Sequence, residues 1–199
     1  MSASAVDTVS PADIPVIDIA ALADPGSDVA LAVARRLCAA YEHLGFAYVA
    51  GHGVPQALAD ACMAQSVAFH AATPEQKRSV AINRFHRGYM TFASSTVVTS
   101  TIARNRHPNL SESFLVMHDL APDDPDLLAG KPLQGPNQWP DWLPGFKPAV
   151  LAYMAAVEGV ARRLLHAFCA GLALPRDALD PLFARPTVFL RLLHYPPHP

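Results

Sequence analysis

From Ala30 onward the apolar residues Val33, Leu37, Ala40, Tyr41 and Leu44 return every three or four positions. That spacing gathers them into one stripe along a helix. Asp28 is placed to cap this helix and Gly45 to end it. The pattern then becomes continuous over 46–50, which predicts a buried strand, and Gly51-His52-Gly53-Val54-Pro55 predicts a tight turn into a second helix reaching about His70. Thr73-Pro74-Glu75-Gln76-Lys77 reads as a capping residue followed by proline at the first helical position, so a short third helix follows. Upstream, residues 14–19 are β-branched with an early proline, the signature of a short strand starting at a sheet edge.

The second half is less regular at first. Residues 79–109 mix Ser, Thr, Asn and Arg with a β-branched run at 96–102 and predict irregular strands and loops. Residues 113–117 predict a strand, and 121–142 a long Pro-, Asp- and Gly-rich connection holding Trp139 and Trp142. The clearest periodicity runs over 146–172, where Phe146, Val150, Met154, Val157, Ala161, Leu164 and Phe168 mark one face of a long helix. A small helix over 175–183 and a strand over 187–195 are expected next, before a stop at Pro196-Pro197-His198-Pro199.

With 199 residues, 51% hydrophobic and 16% charged, the composition is that of a soluble globular protein with one core. Fifteen Lys and Arg against 17 Asp and Glu give a net charge of −2 with no basic cluster, so nucleic acid is not an expected partner. Residues 1–11 lack a secretory pattern, and the apolar segments 29–44 and 149–174 are broken by charges, short of the ~20 apolar residues of a membrane span. No membrane partner is expected, and the cytosol is the expected location. Cys38, Cys62 and Cys169 are read as reduced packing residues. Oligomeric state is not legible.

The nine histidines invite a search for metal ligands. A facial 2-His-1-carboxylate site commonly takes two ligands from His-x-Asp/Glu on a strand, where alternate side chains share a face. No histidine has an acid two positions on, and His118-Asp119 would point to opposite faces. No metal ligand is therefore assigned. The helical His43, His70 and His166 read as structural, and His52, between two glycines, as a partner of nearby backbone. Phosphate-cradling and nucleophile-elbow motifs are absent. Two features remain: Arg87-Gly88-Tyr89, a guanidinium and a phenol fit to grip a carboxylate, and Arg191 with Tyr195, four apart on the last strand and so on one side of it.

Six segments occur in an order that resembles one family. Ile14-Pro15-Val16-Ile17-Asp18, then Leu44-Gly45-Phe46-Ala47-Tyr48-Val49 with Gly51-His52-Gly53-Val54, then 69–77, Arg87-Gly88-Tyr89, Glu112-Ser113-Phe114 without the usual preceding Lys, and Leu190-Arg191-Leu192-Leu193-His194-Tyr195-Pro196 are similar to the front part of the isopenicillin N synthase-like Fe(II)/2-oxoglutarate-dependent dioxygenases. The resemblance implies an α+β fold: a helical N-terminal layer and the first strands of a double-stranded β-helix, or jelly-roll. It implies a flexible leader at 1–13, an N-terminal domain over 14–120, a Pro-rich connection over 121–145, and a bracing helix with the first barrel strand over 146–199. Tyr195 is placed as a 2-oxoglutarate partner, and Arg87, Tyr89, Arg191 and Leu193 as substrate-side residues, Leu193 standing where an Asn is frequent. The complete enzyme would use Fe(II), 2-oxoglutarate, O2 and a small-molecule substrate. The iron ligands cannot be placed, so the expectation is a chain truncated before its metal site, inactive alone and binding none of these cofactors. A non-catalytic fragment or pseudo-oxygenase is the alternative.

Overall fold

The structure, a computed structural model, describes residues 14–96 and 107–197. The leader expected at 1–13 and most of the β-branched run at 96–102 lie outside them. The chain divides into two compact units, Met1–Pro55 with Ala156–Pro186, and Gln56–Ala155 with Thr187–Pro199.

In the first unit, β1 (Val16–Asp18) and β2 (Tyr48–Ala50) pair in parallel, with Val16 opposite Tyr48 and Asp18 opposite Ala50. Helix α1 (Asp28–His43) connects them, capped by Ser27, whose hydroxyl accepts from the Ala30 amide, rather than by Asp28. Its buried stripe of Ala30, Ala34 and Leu37 packs with Ile17, Ile19 and Leu22, and with Val160 and Ala167 of the long helix α5 (Phe146–Gly171). The strand expected to be buried at 46–50 is shorter, and Phe46 and Tyr48 are exposed because only one face of this two-stranded sheet meets the core. Gly51 is left-handed at φ +62°, and a Cβ there would strike the Asp18 carboxylate. His52 bonds backbone as expected: its Nδ1 accepts from the Val54 amide at 3.0 Å, and Arg163 donates to its carbonyl.

The second unit holds α2 (Gln56–His70), α3 (Pro74–Arg78) and an antiparallel sheet of β3 (Gly88–Met90), β4 (Glu112–Met117) and β5 (Phe189–His194), with β4 in the centre. α3 starts in a capping box, the Thr73 hydroxyl taking the Gln76 amide and the Gln76 side chain taking the Thr73 amide. β3 emerges in the stretch read as irregular, and Gly88 allows it: at φ +109° a Cβ would collide with the Val80 carbonyl. One turn of helix, α4 (Pro125–Leu128), interrupts the long connection. The small helix expected at 175–183 is reduced to a 3-10 turn over Asp180–Phe183. The core is aromatic. Phe69, Phe114 and Phe146 are fully buried, with ring centres 4.9–5.3 Å apart, and Trp142 stacks on Phe69 at 5.6 Å. All three cysteines are free, Cys62 and Cys169 buried.

Candidate functional site

The β4–β5 register pairs Glu112 with His194, Phe114 with Leu192 and Val116 with Leu190. Phe114, Val116, Leu190 and Leu192 all enter the core, so alternation carries Glu112 and His194 to the same face. Glu112 is thus a carboxylate on the inner side of a sheet, and such a group needs partners. Lys77, from the last turn of α3, places Nζ 2.8 and 3.1 Å from the two carboxylate oxygens and 3.1 Å from the His70 carbonyl, which uses all three of its donors. The Tyr89 hydroxyl of β3 donates to Glu112 Oε2, and His194 Nδ1 donates to Oε1 at 2.8 Å. Burial would raise the Glu112 pKa, but the hydrogen bonds from Lys77, Tyr89 and His194 outweigh it and hold the carboxyl at about 2. Burial together with the Glu112 charge pushes the Tyr89 phenol up. A cleft of about 370 Å³ opens over this cluster, lined by Lys77, Arg78, Tyr89, Phe92 and Pro196 among others.

Of the residues singled out in the sequence, Arg87 and Tyr89 are adjacent but differently used. Arg87 is 2% exposed, and its guanidinium donates to the carbonyls of Phe85, Leu133 and His118 at 3.2, 2.7 and 3.1 Å. The fork is turned to backbone, where it ties the turn before β3 and the end of β4 to the long connection. Arg87→Lys is expected to lower the unfolding free energy by about 1.5–3 kcal/mol, the worth of one charge-assisted hydrogen bond. Urea titration checks this; a carboxylate-gripping residue with no structural duty would leave stability unchanged.

Arg191, Leu193 and Phe189 lie on the other face of β5. Arg191 Nε donates to Ser113 Oγ at 3.0 Å, and Leu193 and Phe189 are 40% and 50% exposed. Tyr195 stands one residue past the strand and is 70% exposed. Lys77, Glu112 and His194 were not singled out as site residues. Their signal was parity: Glu112 is two and four residues from Phe114 and Val116, and a charge on that side of an apolar strand demands a cation.

Residues 14–142 match the family described as non-haem dioxygenase in morphine synthesis N-terminal. The chain belongs to this family. Among curated relatives, the 2-oxoglutarate-dependent dioxygenase citB of Monascus ruber is 32% identical over 200 residues, covering 98% of the chain and 59% of the relative. The 2-oxoglutarate-Fe(II) type oxidoreductase hxnY of Emericella nidulans is 26% identical over 196 residues, with 96% and 55% covered. A crystal structure of a 2OG-Fe(II) oxygenase family protein from Caulobacter crescentus superposes with a TM-score of 0.77 at 30% identity, covering 94% of this chain and 57% of that one. The chain therefore spans 55–59% of the length of these two curated relatives. The α+β architecture holds, and over the shared part it is that of the jelly-roll oxygenases.

The three-ligand iron site that the family implies does not fit the residues seen. Among the described residues no three of His, Cys, Asp and Glu stand together so as to hold a metal ion. Among them, too, no helix is long and apolar enough to cross a membrane.

Proposed function

We propose that this dioxygenase chain is the scaffold and substrate-side part of a non-haem Fe(II)/2-oxoglutarate-dependent oxygenase. It oxidises a small molecule with O2 as 2-oxoglutarate loses CO2 and becomes succinate, and the iron ligands stand on residues outside these 199. On this reading residues 14–120 form the N-terminal domain, 121–145 the connection, and 146–199 the helix and strand that open the barrel. The observation that supports it is the two-sidedness of β5: Leu190 and Leu192 are partly buried and pack against the core, while Leu193 is 40% exposed and Tyr195, just beyond the strand, 70%. A half-exposed face of Phe189, Arg191 and Leu193 with an exposed phenol beyond its end suits the wall of a pocket, with Tyr195 toward the carboxylates of 2-oxoglutarate and Arg191 and Leu193 toward substrate, whereas Tyr89, expected on the substrate side, lies on the opposite, core face with its hydroxyl on Glu112. Arg87 contributes by holding the turn before β3 and the end of β4 to the long connection.

The coding sequence immediately downstream of Pro199 is expected to encode His-x-Asp within about a dozen residues, a strand's length and its turn. Succinate production from 2-oxoglutarate with Fe(II) and O2 is the assay. The 199-residue chain is expected to make none, and the chain extended through that segment to make succinate. Turnover by the 199 residues alone would refute the placement of the ligands. A missing His-x-Asp, with no turnover by either protein, would favour a non-catalytic binding module.

A further inference from the structure

Two imidazoles meet at the end of β5. His70, the last residue of α2, and His194, the last of β5, have ring centres 5.1 Å apart with planes at 44°, and both line a cleft of about 270 Å³ with Ser66 and Leu193. His70 Nδ1 is 2.8 Å from the Ser66 carbonyl. A carbonyl only accepts, so this nitrogen carries the proton and Nε2 presents a lone pair. His194 Nδ1 is 2.8 Å from the ionised Glu112 carboxylate, and the same reasoning leaves its Nε2 as the lone-pair nitrogen of the neutral ring. His70 is only 7% exposed, and its Nε2 is enclosed with no hydrogen-bond partner.

Histidines that bind metal characteristically donate their second N–H to a carboxylate or a backbone carbonyl, which fixes the tautomer and turns the other nitrogen to the ion. Here one ring has the carbonyl and the other the carboxylate. Two imidazoles binding one tetrahedral ion at about 2.0–2.1 Å have ring centres about 5 Å apart.

We propose that His70 and His194 bind one divalent transition-metal ion of borderline softness, Zn2+ being the type, with water from the cleft completing its shell. Imidazole favours such ions, whereas Mg2+ and Ca2+ favour oxygen. Of the groups around the pair, Lys77 from α3 is matched by Glu112 from β4 at 2.8 Å, and Tyr89 from β3 is neutral, so no uncompensated cation opposes the ion. Bound metal would tie the end of α2 to the end of β5. None of this requires the oxygenase reaction.

The test uses the untagged 199-residue chain, titrated with Co2+ followed by its visible absorption, then with Zn2+ in competition. One equivalent is expected to bind, and His70→Gln and His194→Gln are each expected to weaken binding at least tenfold. A measurement on the unsubstituted chain guards against misfolded variants: added Zn2+ is expected to move the Nε2 nitrogen resonances of His70 and His194 and leave those of His43, His52 and His166 in place. The proposal is overturned if no stoichiometric binding occurs, if the double variant binds as tightly as the unsubstituted chain, or if Zn2+ moves other histidines and not these two.

Discussion

Replacing Glu112 by alanine is expected to destabilise the second unit by about 3–5 kcal/mol, because it strands a buried cation whose partner is gone. The Lys77 side chain is 11% exposed and that of Glu112 7%, so water cannot take over from the lost carboxylate. Tyr89 and His194 lose their acceptor in the same step. Adding Lys77→Met to Glu112→Ala is expected to recover much of the loss, since the penalty lies in the unpaired charge and not in the absent bond. Urea unfolding of the four proteins of this cycle measures it.

The same carboxylate sets the acid limit of the fold. Glu112 has a folded pKa of about 2 against an ordinary 4.5. The unfolded chain therefore takes up the proton first as pH falls. Its stabilisation is fully present above pH 4.5 and is lost progressively from there through 2. His70, with its pKa drawn below 6.5 chiefly by burial, has the same sign at higher pH: its contribution is complete above 6.5 and declines as pH falls below that value. Denaturation midpoints between pH 7 and 3 are expected to show both declines, and Glu112→Ala to remove the lower one.

Phe69→Ala is expected to cost about 3–5 kcal/mol, with the same measurement as the check. The ring is completely buried and touches Tyr89, Phe114, Trp142 and Phe146, which come from β3, β4, the long connection and α5. These neighbours are themselves large rings that cannot collapse into the space left behind. Phe69→Leu keeps most of the volume and is expected to cost under ~1.5 kcal/mol.

Several elements were readable because their causes are local. The three- and four-residue spacing over α1 and α5, proline at the start of α3, and the short apolar run of β4 each involve residues a few positions apart, and the structure places those elements within a few residues of where the patterns do. Family membership was legible for a related reason: six short segments in a fixed order are a one-dimensional property. β3 and the half-exposed face of β2 were not. Gly88–Met90 is strand only because β4 lies beside it, and the exposure of Tyr48 depends on how many strands and helices cover that sheet.

Capping and periodicity act between neighbours along the chain, and they alone set α1, α2, α3 and α5, the central strand and the kinship. Tertiary structure decided the rest. It brought Lys77 across 35 positions and His194 across 82 to the one carboxylate of Glu112, and turned the Arg87 fork inward to carbonyls up to 46 positions away. Such pairings depend on strand register and on which polar groups packing leaves without water. Neither is encoded in any short window, because both follow from the free energy of the assembled core.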